Sequence, residues 1–361
     1  MIPTAIIGTG HLGRFHARLA QQSDQFDVIG VVDPDEQARQ SVAAEVGVAH
    51  YSKMASVLGR IEAAIVAAPT RVHHAVCAEL LANGVHVLVE KPIAATLDES
   101  ESLVSLATQH ARVLQVGHIE RFNPAFAKVE CLIDSPKYIE SRRLSGYTGR
   151  STDVGVVLDL MVHDIDLVLE LVKSPPTNVE AMGISVFGSH EDAATARITF
   201  ANGCVANMTA SRVSFTAVRE MQIWSPSIFV GVDFGERTAR VVRPSDIVRH
   251  RNINPGSLTP DQKEIFSERL FEDFLHVEEF CGEATNPLAE EQADFAAAIN
   301  LGTTPRVTAA NGRDALALCE AILDSIKSHE WDGHRNGRIG PLPTFADRPA
   351  VSESLPLRRA G

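Results

Sequence analysis

The chain has 361 residues, too many for one small core and enough for two domains. Its composition is that of a globular protein: 45% hydrophobic and 22% charged residues, with a formal net charge of −13. That balance argues against nucleic acid as a partner, because an acidic surface repels phosphate backbones, while leaving room for a small anionic ligand held by local arginines. Five cysteines stand far apart with no C-x-x-C pair, which predicts neither a disulfide framework nor a thiolate metal site, and no metal is expected. No basic stretch followed by an apolar run opens the chain, and no segment reaches ~18 uninterrupted apolar residues. A reduced, cytoplasmic compartment is the expectation.

In chain order, the apolar run 4–8 predicts a short strand. It enters Gly8-Thr9-Gly10-His11-Leu12-Gly13 and then a helical pattern to about Gln22. A second apolar strand, 26–33, ends in Asp33. Helix 35–46, strand 48–51, helix 53–59 and strand 63–69 follow, then a helix over 72–83 stopped by Gly84 in a left-handed cap. Strand 85–90, helix 97–110 and strand 112–117 complete the set. Apolar strands separated by amphipathic helices predict a parallel sheet covered on both faces.

Three glycines after a strand, at the start of a helix, with an acid ending the next strand about 20 residues on, form a dinucleotide fingerprint. Gly8 permits the turn, Gly10 admits a pyrophosphate, and Gly13 lets the helix approach the strand. The phosphates are expected on the helix N-terminus. Asp33 accepts ribose hydroxyls and repels a 2′-phosphate, favouring NAD over NADP; Arg14 and Arg39 lie near enough in sequence to weaken that preference. The bland alternative is a glycine loop that binds no nucleotide.

Glu90 and Lys91 end a strand before Pro92, at the edge where open parallel sheets bind ligands. Lys91 is there either a surface lysine or an active-site ammonium. The segment 155–171 reads as one helix, with Asp159 and His163 four apart and so on one face; Asp166 follows on that face and Asp164 points away. A carboxylate beside an imidazole suits proton transfer, against the alternatives of a satisfied core histidine or a metal ligand.

Past about residue 137 the pattern alternates. Strands are predicted within 138–149, 178–189, 193–213 and 219–242, with Asn202-Gly203 and 233–238 as turns. Helices are predicted at 124–134, 157–172, 263–281, 288–300 and 312–328. Arg142, Arg143 and Arg212 could read substrate charge or be ordinary exposed sheet residues, and singly each reads as the latter. The Gly-, Pro- and Arg-rich stretch 331–361 reads as a tail.

The ordered motifs GTGHLG, VVD, AAPT, EKP and GVVLDLMVH, with the stretch 294–328, resemble the glucose–fructose oxidoreductase / inositol dehydrogenase (Gfo/Idh/MocA) family. The resemblance implies an α/β Rossmann dinucleotide-binding domain over 1–122. It also implies an α+β domain over 123–330 with a large open-faced, mostly antiparallel sheet, then the tail over 331–361. It implies a catalytic set of Lys91, Asp159 and His163. His163 would be the base toward a substrate hydroxyl, Lys91 a donor to its oxygen, and Asp159 would orient the substrate or the imidazole. NAD would be held by Gly8, Gly10, His11, Leu12, Gly13, Asp33, Ala68, Pro69, Thr70, His73, Glu90, Lys91, Gly117 and His118. Arg121 and Asn123, just past the last nucleotide-domain strand, would face the cleft and meet a diphosphate or sugar hydroxyl; the alternative for Arg121 is a salt bridge. Where the family often carries several glycines, only Gly155 stands before this helix.

Within the family the stretch GHIERFNPAF is most similar to members acting on nucleotide-linked sugars, implying oxidation of a secondary hydroxyl such as the 3-hydroxyl of UDP-N-acetylglucosamine. A free polyol or sugar is the alternative substrate, and a non-catalytic NAD sensor the alternative class. A homodimer or homotetramer joined through the uncovered sheet face is expected.

Overall fold

The computed structural model describes residues 1–149, 154–187 and 190–329; the stretch read as a tail, from 331 on, lies outside them. The first third alternates strand and helix: β1 (Ile2–Ile7), α1 (His11–Gln22), β2 (Phe26–Val32), α2 (Glu36–Val46), β3 (Ala49–Tyr51), β4 (Ala63–Val66), α3 (His73–Ala82), β5 (His86–Glu90), α4 (Leu97–Gln109) and β6 (Leu114–Gly117). The six strands form one parallel sheet in the order β3-β2-β1-β4-β5-β6. All four residues of β4 are buried, as a sheet covered on both faces requires. Gly84 takes a positive φ of 76° as the cap after α3. The helix expected over 53–59 is only a 3₁₀ turn at Met54–Ser56.

The rest comprises α5 (Pro124–Val129), β7 (Tyr138–Leu144), α6 (Val162–Val172), β8 (Pro176–Ile184), β9 (Ala193–Phe200), β10 (Val205–Ser211), β11 (Val218–Trp224), β12 (Phe229–Asp233), β13 (Thr238–Pro244), α7 (Asp246–Arg249), α8 (Pro260–Glu268), β14 (Leu275–Cys281), α9 (Pro287–Leu301) and α10 (Ala309–Ser328). Eight strands make the second sheet, β14-β13-β12-β11-β7-β10-β9-β8, antiparallel except where β7 meets β10. One face is packed: Met208, Met221, Ile223 and Val230 share a core with Ile165 and Val168 of α6. The other face carries Tyr138, Trp224 and Phe229 in ring contact, centroids 5.0 Å apart in each step.

Three further helical expectations change. Residues 263–281 do not form one helix: α8 ends at Glu268, a π-turn covers Leu270–Phe274, and Leu275–Cys281 becomes the edge strand β14. Cross-strand pairing outweighs helical periodicity there, with Val277 opposite Val242, and Glu279 opposite Arg240 in a 2.5 Å ion pair. Helix 124–134 stops at Val129, followed by a 3₁₀ turn. The helix read over 155–171 begins as a π-turn, Val157–Met161, before α6.

The last two helices return to the first sheet. Phe295 and Ala296 of α9 enter the core with Ile6 and Leu88, and Ala309 and Leu316 of α10 join Val87 and Val116. On its other side α10 places Leu318 and Ile322 in the core of the second sheet. One helix thus fixes the two sheets against each other, and the cleft lies between them.

Candidate active site

A cavity of about 1340 Å³ runs along the carboxyl ends of β1, β2, β4, β5 and β6 and is closed opposite by Asp159, Leu160, His163, Arg212 and Arg219. At its first end lies the glycine turn. A Cβ on Gly8 would sit 2.6 Å from the Ala67 carbonyl, and one on Gly13 would sit 2.0 Å from the Gly8 carbonyl. Gly10 faces open space, with nothing within 4 Å of a Cβ. The N-terminus of α1 has no side-chain cap, so its amides stay available. Asp33 is fixed by amides at both oxygens, Thr9 N at 2.7 Å and Asp35 N at 2.8 Å. An open phosphate cradle and a pinned carboxylate at the next strand end are what a dinucleotide requires, so these residues fit NAD. Arg39 reaches the Pro34 carbonyl at 3.0 Å and Arg14 bonds Ser41 at 2.9 Å.

Of the residues expected at the cofactor, Gly8, Gly10, His11, Leu12, Asp33, Ala68, Pro69, Glu90, Lys91 and Gly117 line the cleft. Gly13 packs behind the turn. Thr70 and His73 lie behind the wall; both His73 nitrogens face carbonyl oxygens, Pro92 O at 2.9 Å and Ala68 O at 2.8 Å. His118 is buried with both ring nitrogens unpartnered among the described residues.

The two walls meet at Lys91. Its Nζ donates to the Asp159 carbonyl at 2.6 Å and lies 3.4 Å from the Asp159 carboxylate. The π-turn delivers this contact, because the wider turn brings the Asp159 carbonyl and side chain to the same ammonium. Asp159 was expected to orient the substrate or the imidazole. Its carboxylate faces Lys91, and no hydrogen bond joins it to the imidazole among the described residues. His163 lines the cleft one turn on, its Nδ1 buried and unpartnered among the described residues. Burial, then the positive charges of Lys91 and Arg143, hold its pKa well below the ordinary histidine value. The ring is therefore neutral at pH 7 and can accept a proton.

Behind Lys91, Glu90 bonds His16 Nε2 at 2.9 Å, and Gln292 reaches His16 Nδ1 at 3.0 Å. Burial raises the Glu90 pKa, but the His16 hydrogen bond and charge, with Lys91, outweigh it and keep the group low. His16 and Gln292 were not foreseen. The only signal for His16 is a histidine one turn past Gly13 in a helix that packs on the sheet, and Gln292 lies 276 residues further along.

Arg121 requires correction, since it does not face the cleft, whereas Asn123 lines a smaller cavity beside it. Arg121 is 2% exposed, held by Asp166 at 2.6 and 2.9 Å and by Glu170 at 2.6 Å. Asn123 caps α5 and donates to Glu120 and the Phe234 carbonyl. The 3₁₀ turn at Ile119–Phe122 carries Arg121 away from the cleft, and its buried guanidinium takes the carboxylates of Asp166 and Glu170. Asp166 accordingly does not share the catalytic face. Arg143, read as an ordinary sheet residue, is buried between Asp164 and Glu120 at 2.7 Å each. Arg212 is buried against Asp192, while Arg142 is exposed beside Glu220.

Comparison with known proteins agrees with this architecture. A sequence model of an oxidoreductase family with an NAD-binding Rossmann fold matches residues 2–118, and the GFO/IDH/MocA C-terminal domain matches residues 127–224. The chain is 36% identical over 239 residues to the UDP-N-acetylglucosamine 3-dehydrogenase of Acidithiobacillus ferrooxidans, covering 66% of this chain and 76% of that one. A crystal structure of that enzyme superposes with a TM-score of 0.79 at 30% identity, over 90% of this chain and 97% of the other. The scyllo-inositol 2-dehydrogenase (NAD(+)) of Bacillus subtilis is 26% identical over 90% of this chain and 94% of its own. An oxidoreductase of Agrobacterium radiobacter solved with NAD+, L-tartaric acid and magnesium shares the fold, with a TM-score of 0.75 at 16% identity over 90% of this chain and 96% of that one.

Proposed function

The chain belongs to the Gfo/Idh/MocA family of NAD-binding oxidoreductases, and from that premise we propose that it oxidises a secondary hydroxyl of a nucleotide-linked sugar, the 3-hydroxyl of a UDP-N-acetylhexosamine such as UDP-N-acetylglucosamine. The observation that carries the reading is the meeting of Lys91, at the end of β5, with Asp159 of the π-turn and His163 of α6 across one cleft.

NAD would be held by the glycine turn, Asp33 and the strand ends at Ala68, Pro69 and Gly117. When bound, the nicotinamide supplies an acceptor for the hydrogen and two electrons that leave the carbinol carbon. The protein's part is the hydroxyl proton, which must depart as the carbonyl forms. Neutral His163 takes it. Lys91, an ammonium held by Asp159, donates to the same oxygen and stabilises the negative charge that develops there. Asp159 places that ammonium, and His16 and Gln292 fix Glu90 beneath it. A steady-state assay of NADH formation with UDP-N-acetylglucosamine, free N-acetylglucosamine and inositol tests the substrate. Turnover of the free sugars alone would assign the chain to the polyol branch, which the inositol dehydrogenase relative favours.

In this reading residues 1–122 form the nucleotide domain and 123–330 the substrate domain. The face bearing Tyr138, Trp224 and Phe229 joins copies into a dimer or tetramer. No helix among the described residues is long and apolar enough to cross a membrane; a cytoplasmic setting suits the reduced cysteines.

A further inference from the structure

A second cavity of about 540 Å³ opens beside the cleft, between α1 and the turn joining β12 to β13. The two share Leu12, Ile119, Arg219 and Leu288, so they are one continuous depression with Arg219 at the junction.

Arg219 and Arg143 are opposite one another in register on β11 and β7. They meet different fates. Arg143 is buried and neutralised by Glu120 and Asp164. Arg219 is exposed and has no carboxylate partner among the described residues. It lines the cleft together with His163 and Asp159, at the reacting end. Arg237, also lining the side cavity, holds a positive φ of 57° and gives one N–H to the Thr285 carbonyl at 3.2 Å, with no carboxylate partner among the described residues. Among the described residues Glu120 is the only carboxylate in that lining, and it is committed to Arg143 and Asn123. At the far side Phe15 is 40% exposed, with the Arg18 guanidinium 5.8 Å from its ring centroid.

In a protein of net charge −13, two uncompensated arginines in one cavity mark a site for a dianionic group, and their planar forks suit phosphate oxygens. We propose that the side cavity receives the nucleoside diphosphate of the substrate. Arg219 takes the phosphate next to the sugar, Arg237 the outer one, and the exposed face of Phe15 lies where a base can stack. The proposal rests on the nucleotide-sugar reading and adds the residues that select it: the sugar stays with Lys91 and His163 while the diphosphate turns past Arg219.

The test uses the full-length protein and the variants Arg219→Ala, Arg219→Lys, Arg237→Ala and the double alanine variant. Loss of a charge-assisted contact predicts a rise in KM for UDP-N-acetylglucosamine of about tenfold to a hundredfold for Arg219→Ala. The inhibition constant of UDP should rise by the same factor, with partial recovery in Arg219→Lys and a larger rise in the double variant. Unchanged KM and UDP inhibition in both single variants, with wild type turning over the UDP-sugar, would overturn the assignment. Calorimetric titration of UDP into NAD-saturated protein separates this from failure of the substrate reading. If no UDP-sugar is oxidised but UDP binds wild type and not the double variant, the side cavity stands as a nucleotide site. If wild type binds no UDP, the proposal falls.

Discussion

The two walls of the cleft are made by different means. On the six-stranded side the working groups sit at consecutive strand ends, and many are backbone: the Gly8–Gly13 turn, Asp33 tied to its own loop amides, and Glu90-Lys91 before Pro92. On the eight-stranded side they are side chains whose roles are set by partners far away in sequence. Arg143, Arg212 and Arg219 all point to one face of one sheet. The first two pair with Asp164, Glu120 and Asp192, and of the three only Arg219 has no carboxylate partner among the described residues. Parallel strand ends converge by topology alone, whereas a cation on an antiparallel strand becomes structural or functional according to which carboxylates long-range packing brings to it.

The contact that joins the walls gives the largest expected effect. His163→Ala and Lys91→Met should each lower kcat by about 10² to 10⁴-fold with folding intact, as stopped assays at saturating substrate would reveal. A loss under about tenfold for both would remove the proton-transfer assignment. Next is the reclassification of Arg121. Arg121→Leu leaves the buried Asp166 without its cation, while Glu170 keeps Lys173 at 3.2 Å, and should cost about 3–5 kcal/mol of stability, read by urea unfolding. A stable variant with raised KM would return Arg121 to the substrate. On the backbone-built wall, Asp33→Ala should weaken NAD about ten- to hundredfold and narrow its preference over NADP, measurable by fluorescence titration of the reduced cofactors. The finest effect is in pH. His163 is protonated only well below its ordinary value of about 6.5, so kcat/KM should keep its plateau below that pH as the solution is acidified. Arg219→Ala removes one of the charges that lower it and should move the acid limb upward. An acid limb already above pH 6.5 in wild type would contradict the neutral-imidazole geometry.

The legibility of the chain follows the same division. The parallel sheet could be read from apolar runs and glycine punctuation, because each signal is local; strand 63–69 and the Gly84 cap needed nothing from elsewhere. Lys91 and His163 could be singled out from motif and helical spacing. That their walls meet through Asp159 needed the π-turn, for which the sequence carries no distinct signature. Arg121 misled because its neighbours in sequence place it at the cleft mouth, while its ion-pair partners come from 45 and 49 residues away. Strand β14 was hidden because a charged edge strand with aromatic residues before it has the same composition as an amphipathic helix.

Helix α10 carries one more consequence. Its Gly312 packs so closely on Val116 that a Cβ there would come within 2.7 Å, and Val307 and Thr308 just before it bond the edge of β6. A ribosome releases this segment only after every other described strand has emerged. The nascent chain can form its first sheet early, yet the exposed edge of β6 waits for the last described helix to cover it. The cleft is thus completed only once α10 is available to pack, and chains cut short before residue 309 should be inactive however well their glycine turn is formed.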